Sequence, residues 1–133
     1  MSFIARMRKN SRGFTLVELL IVTILIGLLA AIALPKFVNT RQKSMLAAMK
    51  SDLRNLATAQ ENYFTTYFTY SSSTANFDFN ISENVTILIP EADNSGWRGT
   101  ATHGGAPGKT CEIYYGDASG ATVASYEGSV ECN

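Results

Sequence analysis

Histidine is nearly missing from this 133-residue chain, cysteine occurs twice, and the formal net charge is zero. Each shortage removes a class of function. The lone histidine, His103, sits in the loop His103-Gly104-Gly105-Ala106-Pro107-Gly108, where a surface residue is the plain reading. Cys111 and Cys132 lie 21 positions apart with no companion histidine, a spacing that suits no zinc site. Glycine-rich residues 104–108 lack the Gly-Lys-Ser/Thr end of a phosphate loop and open no helix. Carboxylates and hydroxyls are plentiful, but no motif groups them around a base. The chain is expected to be no enzyme, with no catalytic residue, cofactor or metal. It has no internal repeat, and its one low-complexity tract is Ser71-Ser72-Ser73-Thr74.

What the chain does have is a long apolar run. Phe14 to Leu34 is 21 residues with one charge, Glu18. As a helix the run rises roughly 31 Å, about one hydrocarbon thickness. A carboxylate at such depth costs about 2.5–3.5 kcal/mol on insertion scales, so Glu18 calls for a partner. Four bases (Arg6, Arg8, Lys9 and Arg12) precede the run without an acid, which places the N-terminus on the cytoplasmic side. Five more (Lys36, Arg41, Lys43, Lys50 and Arg54) follow it against Asp52 alone. From residue 55 onward nine acids face two bases, Arg98 and Lys109. Basic blocks flanking an apolar run, then an acidic remainder, fit a chain handled first at a membrane rather than a nucleic-acid-binding domain. A conventional secretory signal competes with this reading, since Ala31-Ile32-Ala33 is a passable cleavage site. Against it stand the length of the run, the early Glu18, and a helical pattern that continues past the cut.

That pattern recurs at Leu46, Met49, Leu53, Leu56, Gln60, Tyr63 and Tyr67, alternating steps of three and four along one helical stripe. The opposite side carries Lys43, Lys50, Asp52, Arg54 and Glu61. A helix from Phe14 to about Tyr67 is expected, roughly 80 Å long at 1.5 Å per residue. Gly27 and Pro35 fall inside it; proline predicts a kink, and Gly27–Pro35 is a weak stretch able to lose helicity.

After residue 75 the period changes to two. Val85–Ile89 reads as a strand stopped by Pro90, Glu91–Gly96 as a turn, and Trp97–Thr102 as a weaker strand. Cys111–Tyr115 alternates cleanly, and Asp117–Gly120 turns it towards a last strand at Thr122–Tyr126. The fold class is α+β: a long N-terminal helix, hydrophobic in its first half, packed through its C-terminal half on an antiparallel sheet of about four strands. The aromatic end of the helix, with Tyr63, Phe64, Tyr67, Phe68, Tyr70, Phe77 and Phe79, is the expected cover for one sheet face. Electron transfer along stacked rings is a second reading of those aromatics. Two cysteines in an exported small domain predict a Cys111–Cys132 disulfide, worth roughly 3 kcal/mol for a loop of this size. It would pin the C-terminal tail to the third strand. Asn80-Ile81-Ser82 and Asn84-Val85-Thr86 match the glycosylation pattern, which chance also meets often.

A basic leader, Gly13, then Phe14-Thr15-Leu16-Val17-Glu18 and an apolar run resemble the class III signal of type IV pilins. The resemblance is close over residues 6–35 and looser beyond. It implies a leader, 1–13, cut after Gly13 by an inner-membrane prepilin peptidase that also N-methylates Phe14. Residues 14–53 would form the assembly helix and membrane anchor, and 54–133 the head. It further implies a helical homo-oligomeric filament raised by a pilus assembly platform, with the new Phe14 amine beside a neighbour's Glu18. Gly27 and Pro35 match positions that bound a stretch which melts in many assembled pili. Loss of the leader leaves the mature subunit at −4 by formal count, so no direct nucleic-acid binding is expected.

Within the family the expected role is a major pilus subunit for adhesion, twitching motility or DNA uptake, moving from the bacterial inner membrane to the cell surface. The runner-up is the major pseudopilin of a type II secretion system, although such proteins usually carry a calcium site and lack the cysteine pair. Asp117 could join a cation site, but no Asp-rich loop accompanies it. A non-polymerising membrane-tethered binding module would leave Glu18 unexplained. Gly13→Glu should leave an unprocessed precursor, seen as a larger band on an immunoblot; a band of mature size would contradict cleavage at this bond.

Overall fold

The computed structural model describes residues 13–118 and 120–133, so the leader bases and Ser119 lie outside the described residues. Six elements succeed one another: α1 (Leu16–Tyr67), a short 3-10 turn (Thr74–Asn76), and strands β1 (Val85–Ala92), β2 (Gly96–His103), β3 (Thr110–Gly116) and β4 (Glu131–Cys132). The strands form one antiparallel meander in the order β1-β2-β3-β4. The chain divides into two compact units after Val38.

In the first unit the helix continues through Gly27 and Pro35. Its apolar side chains are left open among the described residues: Leu16, Val17, Leu19, Ile24, Leu29 and Ile32 are all exposed. By length and composition α1 can cross a membrane. The hydroxyl of Thr23 donates to the Leu20 carbonyl at 2.9 Å, so this polar group is satisfied inside the helix.

The second unit owns the core. Met49, Leu53 and Leu56 of α1 are fully buried against Val85, Ile87 and Ile89 of β1, Trp97 and Ala101 of β2, and Cys111 and Ile113 of β3. The cover thus comes mainly from a segment N-terminal to the aromatic end. The aromatics extend the core beyond it: Trp97 stacks on Tyr115 with centroids 5.6 Å apart, and Phe64 stacks on Tyr70 at 4.7 Å. Gly99 permits the close approach of helix and sheet, because a Cβ there would stand 2.7 Å from the Leu56 Cδ2 methyl.

Three polar side chains fix what the apolar contacts leave loose. Gln60, fully buried, fills its place in the stripe by bonding Ser71 twice: Nε2 donates to the Ser71 carbonyl at 2.7 Å and Oε1 accepts from the Ser71 N–H at 2.9 Å. This folds the chain back just after Phe68, whose left-handed φ of 54° terminates the helix. Asp52, expected on the solvated side, is instead 2% exposed. Its two oxygens accept from the backbone N–H and the hydroxyl of Ser82, both at 2.9 Å, which compensates the burial.

The strand pattern also departs from expectation at two places. β1 does not stop at Pro90 but runs on to Ala92, with its register shifted between Leu88 and Glu91. An edge strand tolerates proline at such an irregularity because no ladder donor is required there. Residues 122–126 form no strand. The backbone N–H groups of Thr122, Val123 and Ala124 all donate to Oε2 of Glu112, at 2.8, 2.6 and 3.1 Å, so they are not available to a ladder. The fourth strand is Glu131–Cys132, paired with β3 in the register Cys111↔Cys132, and the two cysteines are disulfide-bonded.

Glu112 is 1% exposed, and its second oxygen accepts from Arg98 Nη1 at 3.0 Å. Burial opposes its ionisation, but the N–H groups of Val123 and Ala124, the Arg98 guanidinium and the Thr122 N–H outweigh it and hold the carboxyl below the ordinary glutamate value. A carboxyl depressed by folding contributes stability above its unfolded value, and this is lost as pH falls through the folded one. Glu112→Ala should cost about 3–5 kcal/mol, the range for removing one partner of a buried pair. Glu112→Gln should flatten the acid limb of the melting temperature below about pH 4; thermal melts of the full chain in detergent from pH 2 to 7 check both.

Candidate assembly site

The N-terminal edge of α1 is built residue by residue from local chemistry. Gly13 and Phe14 are non-helical, and Phe14 is 85% exposed. Thr15 then caps the helix: its Oγ1 accepts from the Glu18 N–H at 3.2 Å, and its carbonyl accepts from the Leu19 N–H at 3.2 Å. Glu18 answers from three residues on, its Oε2 accepting from the Thr15 N–H and from the Thr15 hydroxyl, both at 2.8 Å. This reciprocal arrangement is a capping box, which satisfies backbone donors that the first turn of a helix otherwise leaves unpaired. The carboxylate also lies where the positive end of the helix dipole favours negative charge.

Glu18 therefore has a partner inside its own chain, and that partner is a threonine rather than a cation. The pattern Thr-x-x-Glu ahead of an apolar run is legible in the sequence and points to this cap. Within the described residues one carboxylate oxygen, Oε2, is engaged. Among the described residues Oε1 has no hydrogen-bond donor, and Glu18 makes no ion pair.

The other expected positions lie elsewhere. Gly27 is in the exposed helix with open space where a Cβ would be, and Pro35 is inside the same helix. Cys111 is fully buried, and its partner Cys132 is half-buried. None of these is brought next to Glu18 within the described contacts. His103 accepts from the Gly105 N–H through Nδ1 at 2.9 Å and thereby shapes its own loop. Asp117 is exposed, and among the described residues no group of three or more His, Cys, Asp or Glu side chains could hold a metal ion.

Residues 8–34 match the family model described as the prokaryotic N-terminal methylation motif. The chain is 43% identical over 68 residues to the type IV major pilin protein PilA of Myxococcus xanthus, a match covering 51% of this chain and 31% of that one. It is 30% identical over 66 residues to the type II secretion system core protein G of Pseudomonas aeruginosa, covering 50% and 46%. The chain thus spans less than half the length of either relative. A longer match is to the type IV wide pilus major component PilA4 of Thermus thermophilus, 31% identical over 101 residues, 73% of this chain and 77% of the relative. The chain belongs to the type IV pilin family. In this pilin the methylation motif begins at residue 8 and ends at residue 34, the close of the apolar run, so it contains the whole capping box. The shorter matches cover about half of the chain, whereas the Thermus match covers nearly three quarters.

Thr15→Val keeps the side-chain volume but removes the hydroxyl from the cap. It should weaken the first helical turn by about 1 kcal/mol, roughly a fivefold rise in local opening. Amide exchange at residues 16–18 in detergent micelles reads that change, with residues 20–24 as the unchanged reference.

Proposed function

We propose that this pilin is the major structural subunit of a type IV pilus, a polymer rather than an enzyme. The observation that carries the reading is an apolar helix left open among the described residues, opened by a carboxylate whose second oxygen none of those residues engages. Lipid can cover such a surface in the precursor, and identical helices can cover it in a filament. The precursor is held in the inner membrane by residues 14–34 with its N-terminus cytoplasmic, and the head lies outside. Residues 1–13 are the leader; the prepilin peptidase cuts after Gly13 and methylates Phe14. Residues 14–53 are the assembly helix, 54–133 the head, and the pilus assembly platform moves the subunit from bilayer to surface.

The cut gives Phe14 a cationic α-amine. In the filament this amine pairs with Oε1 of a neighbour's Glu18, while Oε2 stays on the Thr15 cap. The apolar side chains supply adhesion and the ion pair sets axial register. Gly27 and Pro35 bound a stretch that can lose helicity on assembly, since glycine and proline disfavour helix by about 1 and 3 kcal/mol relative to alanine. Filaments of this kind serve adhesion, twitching motility or DNA uptake.

The match to a type II secretion protein keeps a pseudopilin role as the second reading. The Cys111–Cys132 bridge and the 77% coverage of the Thermus pilus component favour the pilus. Electron microscopy of sheared surface filaments, with N-terminal mass analysis of their main protein, decides between them. Long filaments beginning with methylated Phe14 are expected, and an N-terminus near Leu34 would sink the proposal. Glu18→Ala should be processed and inserted normally yet give few or no filaments, losing a pairing whose disruption typically costs about 3–5 kcal/mol.

A further inference from the structure

The C-terminal end of α1 carries a groove of about 360 Å³ that assembly through the N-terminal helix leaves unused. Its size falls in the range of small-molecule sites, roughly 300–1,000 Å³. One wall is aromatic. Tyr67 lies on Tyr63 with centroids 4.4 Å apart and planes tilted by 32°, and Tyr63 meets Phe77 edge-on at 5.9 Å. Phe77 packs in turn on the hydrophobic core, so the stack is braced from behind. Tyr67, at its open end, is 61% exposed, which leaves the ring face away from Tyr63 open among the described residues. The rim is polar. Asn76 is fixed by its Nδ2, which donates to the Ser71 hydroxyl at 2.8 Å, and Ser71 is itself clasped by Gln60. That leaves Asn76 Oδ1 as an acceptor. Asn62, Thr66 and Asp78 line the same groove and are exposed, and their side chains bond no other described residue.

An open aromatic face rimmed by amides, a hydroxyl and a carboxylate suits a ligand that is apolar on one side and hydroxylated around its edge. A pyranose ring has that form: its axial C–H groups make a flat apolar face, and its equatorial hydroxyls both donate and accept. We infer that the groove binds a neutral pyranose of a glycan, with the C–H face on Tyr67 and adjacent hydroxyls donating to the Asp78 carboxylate. Such charge-assisted bonds are the stronger ones. The Asn62 amide and the Thr66 hydroxyl can each donate and accept at the rim. Tyrosine offers this surface at low entropic cost, because only two torsions must be fixed. Other chemistries fit less well. A purely apolar molecule would strip water from the rim and leave it without partners. An anion would meet Asp78. A quaternary ammonium is held by ring faces that converge on it, whereas Tyr63 is already packed against Tyr67 and Phe77 and a single open face remains. The inference goes beyond polymerisation and does not depend on it, since the groove lies within the head of one subunit.

Saturation-transfer NMR on the full chain in polyoxyethylene-detergent micelles tests the site, with methyl β-D-glucopyranoside and methyl β-D-galactopyranoside as probes. Transfer to the ring C–H protons of at least one is expected, with a Kd on the order of 1–10 mM for a ligand this small. Tyr67→Ala and Asp78→Ala should each weaken binding about tenfold or more, whereas Tyr67→Phe, which keeps the ring, should stay within about threefold. Tyr126→Ala, which removes another exposed aromatic that does not line the groove, should have no effect. Thermal melts show whether each variant folds; where Tyr67→Ala does not, Tyr67→Leu is read in its place. No transfer to either pyranoside from the unaltered chain overturns the inference, as does binding that Tyr67→Ala leaves within about threefold. N-acetylneuraminic acid should bind about tenfold more weakly than the neutral sugars. Equal binding would remove the role of Asp78 and overturn the site as drawn. Tetramethylammonium that binds more tightly than both pyranosides, and loses that binding in Asp78→Ala, would assign a cation site instead.

Discussion

Roughly twenty consecutive residues of this pilin make an apolar helix left open among the described residues, and this unmet surface governs the rest. Water is a poor neighbour for it, at about 25 cal/mol for each square ångström of apolar area left exposed. Only two environments suit it: a bilayer, or a sheath of other apolar helices. The capping box makes the edge of that surface tolerable in either place. It satisfies the Thr15 and Glu18 N–H groups within the chain, so neither must find water or lipid. The helix can therefore pass from one apolar surrounding to another without exposing those donors.

The head solves a different problem with the same kind of device. Its sheet has only four strands, one of them two residues long. Around the apolar contacts stand three buried polar anchors: Gln60 on Ser71, Asp52 on Ser82, and Glu112 on the loop at 122–124. Each ties a segment without regular structure to a regular element. Glu112 and the disulfide act from neighbouring positions of β3, so the loop and the tail of the C-terminal region are both held from one strand. Loss of either would free a segment that has little apolar surface of its own.

Much of this is legible in the sequence where one physical rule acts alone. The stripe foretells the buried helix face from Met49 to Gln60, where periodicity and burial coincide, and its last member, the exposed Tyr67, is the residue at which α1 ends. Asp52 defies the rule that charge means exposure. Its partner is a serine thirty residues away, and nothing local announces it. The run Thr122-Val123-Ala124 looks like a strand by residue type, but its N–H groups answer a distant carboxylate. β4 is hidden for the opposite reason: two residues carry no period, and a neighbouring cysteine holds them in register. The cap at Thr15 is visible as a motif, yet a carboxylate in an apolar run suggests a cation before it suggests a hydroxyl three residues away.

The cap also decides where the helix is absent. By starting α1 at Leu16 it leaves Gly13 and Phe14 in open backbone, with the bond between them two residues ahead of the first helical turn. A protease needs an extended strand of substrate, and a helix must unwind before it can supply one. Here the unwinding is already done at the one bond where a cut would expose the aromatic residue. Thr15 thus serves as a boundary stone on the chain: Gly13 and Phe14 stand outside the helix, and the apolar residues that follow stand inside it.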